Sequence, residues 1–303
     1  MYDVIIVGGG PAGLSAALIL GRCRRRVLLC DAGRPRNAAS RHLNGFLTRD
    51  GTSPAEMRRL AREQLGAYDT VEIRDVEAIC AKLCHSGGFD ITLSGIGGAV
   101  QVETSRKLLL ATGVADALPE VEGFAEIYGR SAFHCPYCDG WEHRDQPLAA
   151  YGRGAAGKGL ALELTAWSRD LVLCSDGSVE LPQDDLDRLA RNGIDLREER
   201  IARLEGHDGV LERVRFETGE ALPRRALFFA SGERQASDLA QRLGCTLTSR
   251  GDVETGRYET TSVPGLHVAG DASRRVQLAV VAAAEGAMAA FSINTVLLKE
   301  DLR

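Results

Sequence analysis

The chain has 303 residues, 44% of them apolar and 26% charged, with a formal net charge of -5. That length suits two domains better than one core, and without a basic field nothing points to a nucleic-acid partner. No apolar run approaches the roughly eighteen residues of a membrane span, and Met1-Tyr2-Asp3 leads straight into a strand pattern, so neither a membrane segment nor a signal peptide is expected and the chain reads as cytoplasmic.

Residues 3 to 7, Asp-Val-Ile-Ile-Val, are a β-branched run that ends in Gly8-Gly9-Gly10-Pro11-Ala12-Gly13 and continues as an apolar helix through Ala16 and Leu20. In this strand, glycine turn and helix, Gly8 allows the tight turn and Gly10 lets backbone N–H groups approach a pyrophosphate. Gly13 permits close helix packing, and the helix N-terminus attracts the phosphate. The second strand, Arg26 to Asp31, ends on an acid 23 residues after Gly8, where a carboxylate can bind a ribose hydroxyl. Strand before, helix after and acid at that distance make the fingerprint specific, the bland alternative being a glycine turn without a ligand. Lys107 to Gly113 is a further buried strand, and it closes on the small residues Ala111-Thr112-Gly113. A ligand can touch backbone there.

Next comes Phe133-His134-Cys135-Pro136-Tyr137-Cys138-Asp139-Gly140. Two cysteines two residues apart can close a small disulfide loop, with one sulfur acting as thiolate while the other is resolved, and the adjoining acid Asp139 can shuttle the proton. Pro136 limits the loop's freedom and Gly140 lets the chain turn away without a side chain. Structural zinc is the alternative, with His134, His143, Cys80 and Cys84 as paper ligands, but there is no second C-x2-C or H-x3-5-H unit. In a reducing compartment a C-x-x-C reads as catalytic rather than as a staple. Cys23, Cys30, Cys80, Cys84, Cys174 and Cys245 read as packing residues, and His42, His134 and His143 as surface or packing histidines near the suspected chemistry. Tyr137 and Trp141 are weak candidates for a protein-docking surface.

The pattern then begins again. Pro147 to Tyr151 leads to Gly152-Arg153-Gly154-Ala155-Ala156-Gly157, a helix from Lys158 to Trp167 and a strand from Asp170 to Cys174, and Asp176 stands 24 residues after Gly152. The repeat predicts two nucleotide folds, the second inserted in the first, with hinge segments at Val114 to Gly123 and Ser231 to Ser237. Finally Gly265 to Asp271 is a strand ending in Gly270-Asp271, where Asp271 could accept bonds from a polyol such as ribitol. Gln277 to Ala290 reads as a small-residue helix. The charged runs Arg22 to Arg26 and Asp184 to Asp187 read as solvated helix ends.

Taken together, these motifs resemble the low-molecular-weight thioredoxin reductase family of flavin disulfide oxidoreductases over essentially the whole chain. The resemblance implies an α/β fold of two Rossmann-like domains. FAD would sit on residues 1-116 and 235-303, and a nicotinamide nucleotide on the inserted residues 117-234, which carry the cysteines; the protein would be a homodimer. It further implies that Cys135 and Cys138 exchange with substrate and flavin, and that Asp139 is the acid and base. FAD would be lined by Gly8, Gly10, Pro11, Ala12, Gly13, Asp31, Ala32, Ala111, Thr112, Gly113, Gly270, Asp271, Gln277, Leu278 and Ala279, and no metal is implied. The nicotinamide nucleotide would meet Gly152, Gly154, Gly157 and Asp176.

Two departures from the family pattern bear on function. Arg41 to Gly51, with Asn44 and Gly45 placed to approach the flavin ring, is similar to a bacterial branch related to dithiol oxidases, although those often carry His where this chain has Asp139. The place where NADPH-dependent members keep a basic pair reads Cys174-Ser175-Asp176-Gly177-Ser178-Val179-Glu180, two acids and no cation. Arg153 and Lys158 are the nearby cations in sequence, better placed for a pyrophosphate than for a 2'-phosphate. NADPH is therefore expected to be a poor donor, with NADH weak, or the second glycine turn a relic. Three functions stay open: reductase of a thioredoxin-like protein or other disulfide, dithiol oxidase acting on a small molecule with oxygen as acceptor, and non-catalytic flavin redox sensor.

Overall fold

The computed structural model describes residues 1–84, 87–95, 97–274 and 276–303, and the chain divides into two compact units. Unit 1 comprises Met1–Ala38, Gly45–Ala115 and Arg234–Arg303; unit 2 comprises Ala39–Asn44 and Asp116–Glu233.

In chain order unit 1 contains β1 (Tyr2–Val7), α1 (Pro11–Arg22), β2 (Val27–Cys30), α2 (Pro54–Leu65), β3 (Val71–Arg74), β4 (Glu77–Leu83), β5 (Phe89–Ser94) and β6 (Val100–Leu110). The chain leaves through β7 (Val114–Asp116). Unit 2 follows with α3 (Phe124–Ile127), β8 (Ala132–Phe133), α4 (Pro136–Asp139), β9 (Leu148–Tyr151), α5 (Gly154–Leu164), β10 (Leu171–Cys174), α6 (Gln183–Arg191) and β11 (Ile194–Arg197). It continues with β12 (Ile201–His207), β13 (Val210–Phe216), β14 (Ala221–Pro223) and β15 (Ala226–Phe229). The return runs through β16 (Glu233–Gln235) to α7 (Leu239–Arg242), β17 (Leu266–Val268) and α8 (Ala279–Asp301).

Among the described residues, unit 1 is built on a seven-stranded sheet of order β3-β2-β1-β6-β5-β4, with β17 also pairing β6. The strands β3, β2, β1, β6 and β17 are parallel, while β5 and β4 add an antiparallel edge. Val4, Ile5, Ile6 and Val7 are all buried, as a strand covered on both faces requires. Helix α1 begins with Pro11, whose fixed φ suits the first helical position, and it buries Ala12, Ala16, Ala17 and Leu20. Ser53 caps α2 by accepting the Glu56 N–H at 3.2 Å.

Unit 2 repeats the plan on a parallel sheet of order β11-β10-β9-β15-β8, flanked by two apolar clusters. The antiparallel strands β12, β13 and β14 form a separate small sheet. Two Rossmann-like units, the second interrupting the first in sequence, accord with the fold class expected from the repeated fingerprint.

Helix α8 departs from one expectation: its 23 residues are long and apolar enough, by length and composition, to cross a membrane. In the fold it is a core helix, burying Ala282, Glu285, Gly286, Ala289, Ala290, Ile293 and Leu297. Glu285, which interrupts its apolar run, is turned inward, accepting the Gly270 N–H at 2.8 Å and the Arg274 Nε–H at 2.7 Å.

The approach of α1 to α8 depends on the absence of a side chain at Gly286, because a Cβ there would overlap the Ala12 carbonyl. Gly286→Ala should therefore force the two helices apart and cost about 1–3 kcal/mol. The check is chemical denaturation of the purified variant, and unchanged stability would mean that the helix pair relaxes freely.

Candidate active site

Unit 2 carries the sulfur chemistry. Cys135 and Cys138 are joined by a disulfide, with Cα atoms 5.3 Å apart. The single turn α4 makes this possible: Cys135 is its extended N-cap, Pro136 opens it, and the N–H groups of Cys138 and Asp139 both donate to the Cys135 carbonyl. Gly140 serves differently from the sequence expectation. Its backbone is right-handed helical, so any residue could adopt its conformation, but a Cβ would meet the Trp167 ring at 2.8 Å. The glycine makes room for Trp167 rather than turning the chain.

Asp139 is half-buried behind the disulfide turn, and desolvation, with a smaller contribution from Glu142, pushes its carboxyl up to about 7. An acid that titrates near neutrality can give a proton to a departing thiolate and take one from an incoming thiol. His143 is packed on Phe133, ring centroids 5.1 Å apart, and burial holds it below the usual histidine range. His134 is more than a packing residue. Its Nδ1 lies 3.6 Å from the carboxylate of buried Asp116, which also accepts the Tyr128 hydroxyl at 2.5 Å. Tyr137 and Trp141 are 68% and 64% exposed, and Arg144 stacks on Trp141 at 4.0 Å.

Asn44 also belongs to this unit, where its Nδ2 donates to the Cys138 carbonyl at 2.9 Å. Gly45 falls in unit 1, with its N–H on Asp50. Asn44, expected with Gly45 near a flavin ring, bonds the Cys135–Cys138 turn, a partner 94 positions away that no local pattern reveals.

In unit 1 the remaining expected residues converge on the carboxyl edge of the parallel strands. Gly8, with φ +116°, lies so close to Ala111 that a Cβ would overlap its carbonyl, and a Cβ on Gly13 would overlap the Gly8 carbonyl. A Cβ on Gly10, by contrast, would find open space within 4 Å. Asp31 follows β2 and is buried, with Oδ1 accepting the Gly33 N–H at 2.9 Å and Oδ2 facing Arg58 at 2.6 Å and Arg62 at 3.2 Å. Ala32 is exposed beside it. Thr112 and Gly113 follow Ala111, and Gly113 accepts the Ala236 N–H. Gly270 packs on Ala12, Asp271 follows it, and Leu278 and Ala279 are the N-cap and first residue of α8. Gln277 and Asp271 both accept bonds from Arg36.

The second glycine turn, in unit 2, is bent onto its own chain. Gly154 N–H donates to the Val179 carbonyl at 2.8 Å, and Arg153 reaches back to the Ser175 and Asp176 carbonyls. Gly152 and Gly157 are in mutual contact, as close strand-to-helix packing requires. Asp176 is 14% exposed; its Oδ1 accepts the Ile201 N–H at 2.8 Å, and its Oδ2 is 3.7 Å from Arg200 and 4.0 Å from Arg153. Lys158 pairs with Asp185 at 2.6 Å. Arg153 is thus engaged by the loop that carries Asp176 and Lys158 by α6, and Arg200, which precedes β12, is a further cation near Asp176 that sequence spacing does not show.

Among the described residues no cluster of His, Cys, Asp or Glu could hold a metal. A family model for pyridine nucleotide-disulphide oxidoreductases matches residues 2–286. The thioredoxin reductase tcpT of Claviceps purpurea is 32% identical over 310 residues, covering 99% of this chain and 95% of that protein. The crystal structure of HlmI superposes with a TM-score of 0.92 at 35% identity, over 99% of this chain and 94% of that one. An oxidoreductase from Agrobacterium tumefaciens gives a TM-score of 0.89 at 34% identity, over 98% of each chain.

The raised pKa of Asp139 has a consequence for stability. The folded carboxyl keeps its proton up to about 7, whereas the unfolded one releases it near 3.8. The fold's advantage is thus full below the unfolded value and is lost as pH rises through the folded one. Asp139→Asn removes this dependence, so its melting temperature relative to the native protein should climb between about pH 5 and pH 8 and level off above that. Parallel thermal melts of the oxidised proteins check it, and a pH-independent difference would show that Asp139 is solvated.

Proposed function

Because the chain belongs to the pyridine nucleotide-disulphide oxidoreductase family and is a thioredoxin reductase-like, FAD-dependent disulfide oxidoreductase, we propose that Cys135 and Cys138 pass electrons between FAD held by unit 1 and an external disulfide or dithiol. The observation that carries the reading is the Cys135–Cys138 disulfide turn with Asp139 titrating near neutrality beside it. Residues 1-116 and 235-303 form the FAD domain in this reading, and residues 117-234 the inserted domain.

The fit to FAD rests on the glycine turn and on two helix N-termini. The space beside Gly10 admits a pyrophosphate against Ala12 and Gly13, where the amides and dipole of α1 favour negative charge. Asp31 and Ala32 flank the adenosine side, and Ala111, Thr112 and Gly113 offer backbone. Asp271 would hold the polyol, and Gln277, Leu278 and Ala279 at the α8 N-terminus would face the ring's polar edge. FAD, when bound, supplies a two-electron couple that interconverts the cysteine pair between dithiol and disulfide.

The protein's own residues perform the exchange. One cysteine thiolate attacks the substrate disulfide, expelling a substrate thiolate and forming a mixed disulfide; the second cysteine then displaces the remaining substrate sulfur and closes the Cys135–Cys138 bond. The two electrons of the dithiol thereby reduce the substrate. Asp139 protonates the departing thiolate, and in the opposite direction it deprotonates an incoming thiol. Asn44 steadies the Cys138 end of the turn through its carbonyl.

A thioredoxin-like protein is the favoured substrate, because Tyr137 and Trp141 expose apolar rings next to the disulfide. A second copy of the chain would pack on α8, where Val280, Met288 and Phe291 are exposed with Tyr258 against Phe291. Cytoplasmic location is supported by the six free cysteines among the described residues.

The nucleotide turn of unit 2 supports the second reading, a dithiol oxidase acting on a small molecule. Asp176 and the Gly154 amide are already satisfied within the chain and Glu180 adds a further acid, so a 2'-phosphate would have to win Arg153 and Arg200 from Asp176. NADPH is accordingly the weaker donor, with NADH or a dithiol supplying electrons.

Two experiments test these assignments. Replacing either Cys135 or Cys138 by Ser should abolish turnover while FAD stays bound, and Asp139→Asn should lower it about 10^2- to 10^4-fold; full activity in either serine variant would sink the dithiol mechanism. In anaerobic titrations of the oxidised flavin, a small dithiol should bleach the absorbance and NADPH should do so poorly. Rapid, stoichiometric bleaching by micromolar NADPH would overturn the assignment of the donor.

A further inference from the structure

One charged side chain in unit 1 lies among the residues assigned to FAD without belonging to either glycine fingerprint. Arg36 opens a short turn, Arg36–Ala39, that follows β2. Its side chain is 12% exposed, and its Nη1 donates to Gln277 Oε1 at 2.5 Å and lies 3.3 Å from Asp271 Oδ2. These acceptors mark the two ends of the approach to α8. Asp271 follows the Gly270 turn, where a Cβ would meet Ala12 of α1 at 3.1 Å, and Gln277 immediately precedes the Leu278 N-cap. Withdrawing a guanidinium from water is costly unless it meets compensating charge. Here it is held against one carboxylate and one amide at the edge where the two helix N-termini converge.

We propose that Arg36 tunes the flavin: on the reading that unit 1 holds FAD through Asp271 and Gln277–Ala279, its guanidinium supplies fixed positive charge at the polar edge of the ring and favours the reduced form. When the Cys135–Cys138 dithiol closes to its disulfide it gives up two electrons and two protons. The flavin takes both electrons and one proton, and the second proton leaves to solvent. The reduced ring then carries one negative charge, shared between N1 and the C2 carbonyl, whereas the oxidised ring is neutral. A nearby cation therefore stabilises the reduced form selectively. Asp271 alone would oppose reduction. Arg36 offsets that carboxylate, and the partial positive charge of the α8 N-terminus adds to it. The arrangement poises the cofactor to accept electrons from a dithiol.

The test uses the FAD-loaded native protein with R36Q and R36K, and it reads the flavin midpoint potential and the affinity for sulfite, which adds to the ring and leaves the same negative charge at N1. In R36Q the preference for reduced flavin should fall at least tenfold, about 30 mV for a two-electron couple, and sulfite should bind at least tenfold more weakly. R36K, which keeps the charge, should recover part of both. Potential and sulfite affinity within twofold of native in FAD-loaded R36Q would overturn the inference while leaving the function intact. Should R36Q retain no FAD, R36M, which also removes the charge but keeps a long side chain, takes its place: a potential lowered by about 30 mV supports tuning, and a native one reduces Arg36 to a structural tie. A native protein that takes up no FAD would instead remove the reading on which the inference rests.

Discussion

The organisation of unit 1 depends on backbone approaching backbone where side chains are missing. Gly8 against the Ala111 carbonyl, Gly13 against the Gly8 carbonyl and Gly286 against the Ala12 carbonyl are contacts at which a single Cβ would produce overlap. Together they draw α1 down onto the sheet and α8 onto α1. Two helix N-termini therefore open on the same carboxyl edge, the end at which parallel sheets bind ligands because strands stop and loops diverge there. A larger residue at any of these glycines would move a helix end by a distance comparable with a hydrogen bond, and the dipoles would no longer converge.

In unit 2 the controlling variable is desolvation. The disulfide turn is a minimal helix whose geometry comes from Cys135 as cap and Pro136 as first residue, but its chemistry comes from the packing behind it. Trp167 fills the space that Gly140 leaves, and burial lifts Asp139 toward neutrality. The same burial keeps His143 neutral. One environment thus supplies a proton carrier from a carboxylate and silences an imidazole, because desolvation disfavours whichever form is charged.

What could be read from the sequence was what local spacing encodes. Glycines at the strand-to-helix turns, two cysteines flanking Pro136 and Tyr137, and an acid next to Cys138 are patterns within a few residues of one another, and they carried the fold class and the redox chemistry. Pairings across long separations were not legible. Asn44 on the Cys138 carbonyl, Arg36 on Asp271, Arg200 by Asp176 and Glu285 on the Gly270 amide each join segments that only the folded sheet brings together. Glu285 had a visible signal, a lone acid inside a small-residue helix, and such a residue is rarely buried without a partner. Arg36 had none, since arginines are common in that stretch and nothing local separates the inward one from its neighbours.

The two glycine turns show why such a motif specifies a backbone and not an occupant. Both begin at the end of a parallel strand, both pack glycine against glycine, and both are followed by an acid at nearly the same distance. They differ in what the loop after the second strand does. In unit 1 that loop lies against the turn, the Asp31 carboxylate packing on Gly9 while it accepts the Gly33 N–H and meets two arginines of α2. In unit 2 the loop folds back, Val179 is buried, its carbonyl accepts the Gly154 amide, and Arg153 grips two carbonyls of the same loop. A ligand at the second turn must compete with hydrogen bonds the chain already makes there, although open space lies beside Gly154 as it does beside Gly10. The difference lies in the seven residues after β10, whose carbonyls hold the second turn through Gly154 and Arg153.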